Sequence, residues 1–378
     1  MTPYDSQAGD GSFKAAVVDM MNSVDTKHSM LYVVNDGVHL YPKGINQFVA
    51  DNNIFVSTKG IGDPSYTDFR KIFDTILHKT QGYEVSILIT DLIYSTKDMA
   101  TTNPQKIFAD AQGMIASVFK GVQQKSVVVA QMQGSYNGMY YPYNSPAQGK
   151  SYDGTRPYYI IVVGDNGAID RLTHDADYQR FMSFSSKRGF RHVAIFTAGD
   201  VFHPYCSFLL SGSDNMGRYA AERGQGEQIK SITDIEPDRE TGLVQMTLAV
   251  DLKGIPVDND VLTNPANYEV ESDCGVKLVK IRPLADADKS PQNKRHIGSA
   301  NYLMVLQAER IPGKQAVKVR LKNQMPAWVA ASNSDDDTQM GSQQFATTTF
   351  GLKYLLQGIY DAYEKVGSPY LFTLNIEL

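Results

Sequence analysis

Residues Ser126 to Val163 read SVVVAQMQGSYNGMYYPYNSPAQGKSYDGTRPYYIIVV, and how this stretch is divided decides the architecture of the first half of the chain. Its ends, Ser126 to Met132 and Tyr158 to Val163, are short apolar runs of the kind found in strands covered on both faces. Between them, Gln133 to Pro157 is rich in Gly, Asn, Ser and Pro and reads as a long connection. Such a connection inside a compact domain is usually functional or disordered. It carries Tyr136, Tyr140, Tyr141, Tyr143 and Tyr152, with Tyr158 just beyond, and Tyr among Ser, Gly and Asn is the composition of adaptable recognition loops. Partner binding is therefore assigned to Tyr136, Tyr140, Tyr141 and Tyr143. The competing reading is a tyrosine-rich lid packed on its own domain, or an edge hairpin.

Working outward, Phe13 to Val24, Tyr66 to His78, Pro104 to Gly121 and Ala168 to Phe184 have apolar residues at helical spacing. Asn103-Pro104 supplies an N-cap and a first-turn proline. Met30 to Val34 and Val38 to Tyr41 read as a hairpin around Asn35-Asp36-Gly37, and VSILIT (85–90) as a buried strand stopping at Asp91. Helices alternating with continuously apolar strands predict a doubly wound, mostly parallel α/β domain over 1–225.

Past Gly224-Gln225-Gly226 the pattern changes. Val244 to Val250, Tyr268 to Ser272, Val276 to Ile281, Tyr302 to Gln307 and Ala316 to Leu321 are short segments separated by Gly, Pro, Asn and Asp, which predicts an all-β sandwich over 226–345. Residues 346–378 read as a C-terminal helix, Thr349 to Lys365, and a strand, Tyr370 to Ile376.

The 378 residues include 42% hydrophobic and 20% charged residues, a globular composition. A net charge of −5 gives no electrostatic footprint for nucleic acid. No apolar run reaches the ~18 residues of a spanning helix. Cys206 and Cys274 are too few for a disulfide framework. Met1 to Gly11 has neither a basic n-region nor an apolar h-region.

Conventional catalytic signatures, G-x-S-x-G, H-E-x-x-H and G-x-G-x-x-G, are absent. Gly149-Lys150-Ser151 ends like a phosphate loop, but Asn144 occupies the place of its first glycine. The seven histidines show no ligand spacing. What remains is a set of acids at strand ends: Asp36, Asp91 and Asp165. In an open parallel sheet the carboxyl ends of the strands form the ligand crevice, and carboxylates with hydroxyls there suit Mg²⁺ or Ca²⁺. Helix or turn capping is the ordinary alternative at each position.

Asp91, closing Ile89-Thr90-Asp91, comes with Thr67 in Tyr66-Thr67-Asp68-Phe69. This pairing resembles the von Willebrand factor type A family, in which a loop threonine and an aspartate ending the fourth strand share a metal ion. The resemblance covers about 200 residues in order of elements. It implies Thr67 and Asp91 as metal ligands and a role in extracytoplasmic adhesion or assembly, although the family also has intracellular members. The family's D-x-S-x-S motif and its first strand are missing here. Either an upstream strand has been lost from the sequence or the site is degenerate, so Mg²⁺ or Ca²⁺ is expected to bind weakly or not at all. Asn264-Pro265-Ala266-Asn267-Tyr268 resembles a strand start in immunoglobulin-like modules of bacterial surface proteins. The expected function is non-catalytic binding of a protein or glycan partner. The alternatives are a metal-dependent hydrolase built on Asp36, Asp91 and Asp165, or a structural component of a surface assembly.

Overall fold

A computed structural model describes residues 1–24, 27–51, 53–64, 67–94, 101–175 and 181–378. In chain order the elements are α1 (Ser12–Met21), β1 (Tyr32–Val34), β2 (Val38–Leu40), α2 (Gly44–Ala50), α3 (Ile54–Thr58), α4 (Phe69–Lys79), β3 (Val85–Thr90), α5 (Pro104–Phe119), β4 (Lys125–Tyr140), β5 (Lys150–Asp165), α6 (Asn166–His174) and β6 (Phe190–Phe196). There follow β7 (Cys206–Leu209), β8 (Arg218–Ala221), β9 (Ile232–Glu236), β10 (Val244–Val250), α7 (Asn259–Thr263), β11 (Tyr268–Glu271), β12 (Lys277–Pro283), β13 (Tyr302–Ala308) and β14 (Ala316–Lys322). The chain closes with α8 (Ala327–Ala331), β15 (Asn333–Ser334), β16 (Thr349–Phe350), α9 (Leu352–Glu364) and β17 (Tyr370–Glu377).

The chain packs as two units, Met1–Ala198 with Gln324–Gly367, and Gly199–Asn323 with Ser368–Leu378. The division expected near residue 225 therefore falls inside the second unit, between β8 and β9, which pair with each other. The expected C-terminal helix and strand belong to different units: α9 to the first and β17 to the second.

In the first unit the sheet order is β3-β5-β4-β6, and every pairing is antiparallel. This overturns the doubly wound, mostly parallel sheet and with it the von Willebrand factor A-like reading of the fold. Among the described residues the one parallel strand pair is β15 with β16, two residues long. Continuous apolar character reports that a strand is covered on both faces and does not report its direction. Here α4, α5 and α9 cover one face over Val127, Val129, Ile161 and Val163. On the other face α1 packs against β4 and α6 against β5.

The stretch that reads as a long loop is the distal half of a hairpin. β4 and β5 pair without interruption from Lys125↔Asp165 to Tyr140↔Lys150, leaving only Tyr141–Gly149 as the connection. β3 and β6 flank only the proximal half of this hairpin, through Thr90↔Tyr159 and Met132↔Phe190. Beyond them it is a two-stranded ribbon. Its partners are the N-terminal turn, where Tyr4 meets Tyr136 edge-on at 5.0 Å, and the segment before β16, where Phe345 meets Tyr140 at 4.8 Å and Tyr152 at 4.9 Å.

The helices follow their spacing. α4 buries Phe69, Ile72, Phe73, Ile76 and Leu77, and Asp68 caps it by accepting the Lys71 N–H at 3.1 Å. Asn103 caps α5 through the Gln105 N–H at 2.9 Å. Of the helix expected over 168–184, α6 ends at His174 and residues 176–180 lie outside the described residues, as does Tyr66.

The second unit contains two antiparallel sheets, β12-β13-β10-β7 and β11-β14-β17, and the β8-β9 pair. In β14, Val317, Val319 and Leu321 are buried and alternate with partly exposed residues, the pattern of a sheet with one covered face.

Candidate functional site

A cleft of about 2060 Å³ opens in the first unit. Along one side runs all of β3, from Val85 to Thr90, followed by Asp91. Also on its lining are Tyr32, Val33, Val34 and Val38 of the β1–β2 hairpin together with Ile45 and Phe48 of α2. The distal ribbon contributes Tyr136, Tyr140, Tyr141 and Tyr143, and Asp337 adds a carboxylate. Thr67, just before the Asp68 cap, lines the same space. Thr67, Asp91 and the four tyrosines thus border one cleft, whereas Asp36 and Asp165 do not line it.

The four tyrosines differ in exposure. Tyr141 is 54% exposed, whereas Tyr136 and Tyr140 are 5% and 2% exposed. Tyr143 is half-buried and stacks on Phe350 with ring centroids 4.9 Å apart. The recognition-loop reading therefore fits Tyr141 best, and the packed-hairpin reading fits Tyr136 and Tyr140.

Around Tyr140 lies a polar cluster that the sequence reading missed. The Tyr140 hydroxyl donates to Asp337 Oδ2 at 2.8 Å, and the Tyr143 N–H donates to Asp337 Oδ1 at 3.0 Å. The fully buried Arg156 guanidinium lies 4.0 Å from the Phe345 ring centroid and 4.9 Å from that of Tyr140, and Nη1 donates to the Phe345 carbonyl. No carboxylate among the described residues forms an ion pair with Arg156, and its Nε has no hydrogen-bond partner. Aromatic faces carry much of its compensation. Arg156 lay inside the segment read as a long connection, and nothing in the local spacing of Arg156 or of Asp337 marks either as buried.

Burial pushes the Asp337 carboxyl above the usual aspartate range, against the opposing pull of the Tyr143 N–H, the Tyr140 hydroxyl and Arg156. In the unfolded chain the group titrates near ~3.9. The fold thus holds this proton more tightly than the unfolded chain does. The stability that Asp337 confers is present below ~4, falls as pH rises toward the folded value, and stays lost above it. The stability of Asp337→Asn relative to wild type is therefore expected to improve as pH rises from about 3 to about 7, measured by urea unfolding. A difference that does not change with pH would contradict this assignment.

The strand-end acids do not converge, for a reason rooted in strand direction. In a parallel sheet the carboxyl ends of all strands share one edge. In this antiparallel sheet β3 and β5 end on opposite edges, so Asp91 lies beyond the Thr90↔Tyr159 pair while Asp165 pairs with Lys125 at the far end. Asp165 is held there by Lys125 Nζ at 2.7 Å and by the Gly82 N–H at 2.9 Å. Asp36 sits in the β1–β2 turn, accepting from the Asp63 N–H and bonding to His39 Nε2, each at 2.9 Å. These contacts lower its pKa, with the Asp63 N–H the larger cause. Both acids take the structural roles that turn and strand ends ordinarily give them.

Among the described residues no three His, Cys, Asp or Glu side chains gather as a metal cluster. Thr67 and Asp91 offer few oxygens to a cation in the cleft, and the buried, unpartnered Asn35 Oδ1 is a further donor on the lining. This set falls short of the six or more oxygens that Ca²⁺ or Mg²⁺ takes, so water would complete any shell. Among the described residues no helix is long and apolar enough to cross a membrane. No family model, curated protein or solved structure matches this chain, so neither the von Willebrand factor A resemblance nor the immunoglobulin-like one gains support from known proteins.

Proposed function

We propose that the protein is a non-catalytic binding protein, acting in adhesion or assembly, whose first unit takes a protein or glycan partner in the cleft. The observation that carries this reading is the shared lining: Thr67, Asp91, Tyr136, Tyr140, Tyr141 and Tyr143 all border one space. A largely apolar concave wall with a few polar groups is the usual chemistry of a binding site. Tyr141 and Met139, 54% and 45% exposed, offer an aromatic and a flexible apolar contact on the ribbon. Mg²⁺ or Ca²⁺ plays at most a weak, water-completed part beside Thr67 and Asp91.

Peptide and glycan arrays probed with the full chain test the proposal. Selective binding is expected, weakened roughly 5- to 150-fold by Tyr141→Ala, in line with ~1–3 kcal/mol for an aromatic anchor. Arrays without selective binding, or binding that Tyr141→Ala leaves unchanged, would overturn it.

A further inference from the structure

We infer that the cleft is filled by strand addition: an extended segment of a partner polypeptide pairs with the edge of β3 that no other described strand occupies. The inference rests on the binding reading above and specifies the partner's chemistry and binding mode.

β3 is the terminal strand of its sheet, paired with β5 alone among the described residues. Alternate residues of such a strand direct their N–H and C=O groups away from the sheet, a ready template for another chain. Proteins usually blunt such edges with lysines, prolines, bulges or short strands. Other edges of this protein carry these devices. β6 bears Arg191 and His192 and shifts register against β4. β12 bears Lys277, Lys280, Arg282 and Pro283 and shifts register against β13. β3 has none of them. Its sequence is VSILIT, its register with β5 is unbroken from Val85 to Thr90, and Ile87 is 36% exposed. The unguarded edge is also the one that lines the cleft along its whole length.

The form of the edge selects the occupant. A row of backbone donors and acceptors repeating every two residues is complemented by another strand, and a glycan has no such repeat. Six residues of β3 span ~20 Å, the length of an ordinary strand. The cleft volume of about 2060 Å³ exceeds the ~300–1,000 Å³ of small-molecule pockets. Val33, Val34 and Val38 on the same lining favour apolar side chains in the incoming strand. At the carboxyl end of β3, Asp91 accepts only the Ile93 N–H, at 3.4 Å, and has no cationic partner among the described residues. A lysine or arginine at that end of the partner strand would complete it.

A synthetic octapeptide of alternating Val and Thr with one terminal Lys serves as the probe. It is labelled for fluorescence anisotropy, and hydrogen exchange of the full chain is followed by mass spectrometry. Binding is expected to slow exchange over 85–90 at least tenfold. N-methylation along one edge of the peptide should abolish binding, and methylation along the other edge should leave it intact. Ile87→Lys should weaken binding at least tenfold without lowering the melting temperature. Asp91→Asn should weaken the Lys-ended peptide and spare a Thr-ended one.

Binding without slowed exchange over 85–90, or with equal tolerance of both methylated peptides, would overturn strand addition while leaving the binding reading in place. Array binding confined to glycans would do the same. Self-association of the chain that Ile87→Lys abolishes would identify a second copy as the occupant and overturn the partner assignment.

Discussion

Tyr140→Ala is expected to cost the fold about 3–5 kcal/mol, and Tyr141→Ala, one residue on, less than about 0.5 kcal/mol. Tyr140 is the last residue of β4, and its ring is packed against Phe345 and beneath Arg156 at 2% exposure. Removing the ring leaves a cavity, strips Arg156 of one of its two aromatic faces and deprives Asp337 of a hydroxyl donor at 2.8 Å. Each of these losses lies in a buried setting, where an unmade polar contact costs most. Tyr141 begins the connection after β4 and is 54% exposed, so its truncation removes little buried area. Urea unfolding of both variants decides the matter, and equal losses would refute the assignment of Tyr140 to the core. Arg156→Met together with Tyr140→Ala should cost less than the sum of the two single changes, because both delete the same contact.

This contrast shows what the sequence could reveal about the ribbon. Helices α4 and α5 were legible because Phe69, Ile72, Phe73, Ile76 and Leu77, and Ile107, Phe108, Ala111, Ile115 and Phe119, repeat at the helical period. The short strands of the second unit, such as Val317, Val319 and Leu321 in β14, alternate as strands should. The distal half of the β4–β5 hairpin escaped because its glycines look like turn residues. Two of them mark close approach instead. A Cβ at Gly138 would lie 3.0 Å from Pro3, and one at Gly134 would lie 3.3 Å from the Tyr158 ring and 3.4 Å from that of Tyr4. Reading those glycines as breaks turned a hairpin into a loop, and that error removed the one local signal that β4 and β5 are antiparallel. The wrong direction then placed Asp36, Asp91 and Asp165 at a common edge. Thr67 and Asp91 both line the cleft, since their placement depends on α4 and β3. Asp337 and Arg156 were beyond reach, since their burial arises from contacts between segments almost two hundred residues apart in sequence.

Gly358→Leu is expected to destabilise the protein by about 3 kcal/mol or more, at the upper end of overpacking costs. Gly358 is buried at the middle of α9, where that helix crosses α5. A Cβ there would come within 2.6 Å of the Gln112 carbonyl oxygen and 2.9 Å of Ile115 Cβ. Neither neighbour can swing aside: one is backbone, and the other is a branched side chain with no exposed surface. The crossing is further pinned by Gln112 Nε2 donating to Asp361 Oδ2 at 2.7 Å, with Gln357 donating to the other oxygen of the same carboxylate. Intrinsic propensity argues the opposite way, since glycine inside a helix costs about 0.5–1 kcal/mol relative to alanine. The two effects separate at Gly113 on α5, which is exposed and has nothing within 4 Å of an added Cβ. Gly113→Ala is therefore expected to stabilise by about 0.5–1 kcal/mol, whereas Gly358→Ala, gaining the same propensity, loses about 1–3 kcal/mol to the clash. Urea unfolding of the Gly113→Ala, Gly358→Ala and Gly358→Leu variants reads this directly. Stabilisation by Gly358→Ala would mean that α5 and α9 do not pack at this distance, and would remove the close helix crossing that covers one face of the β3-β5-β4-β6 sheet.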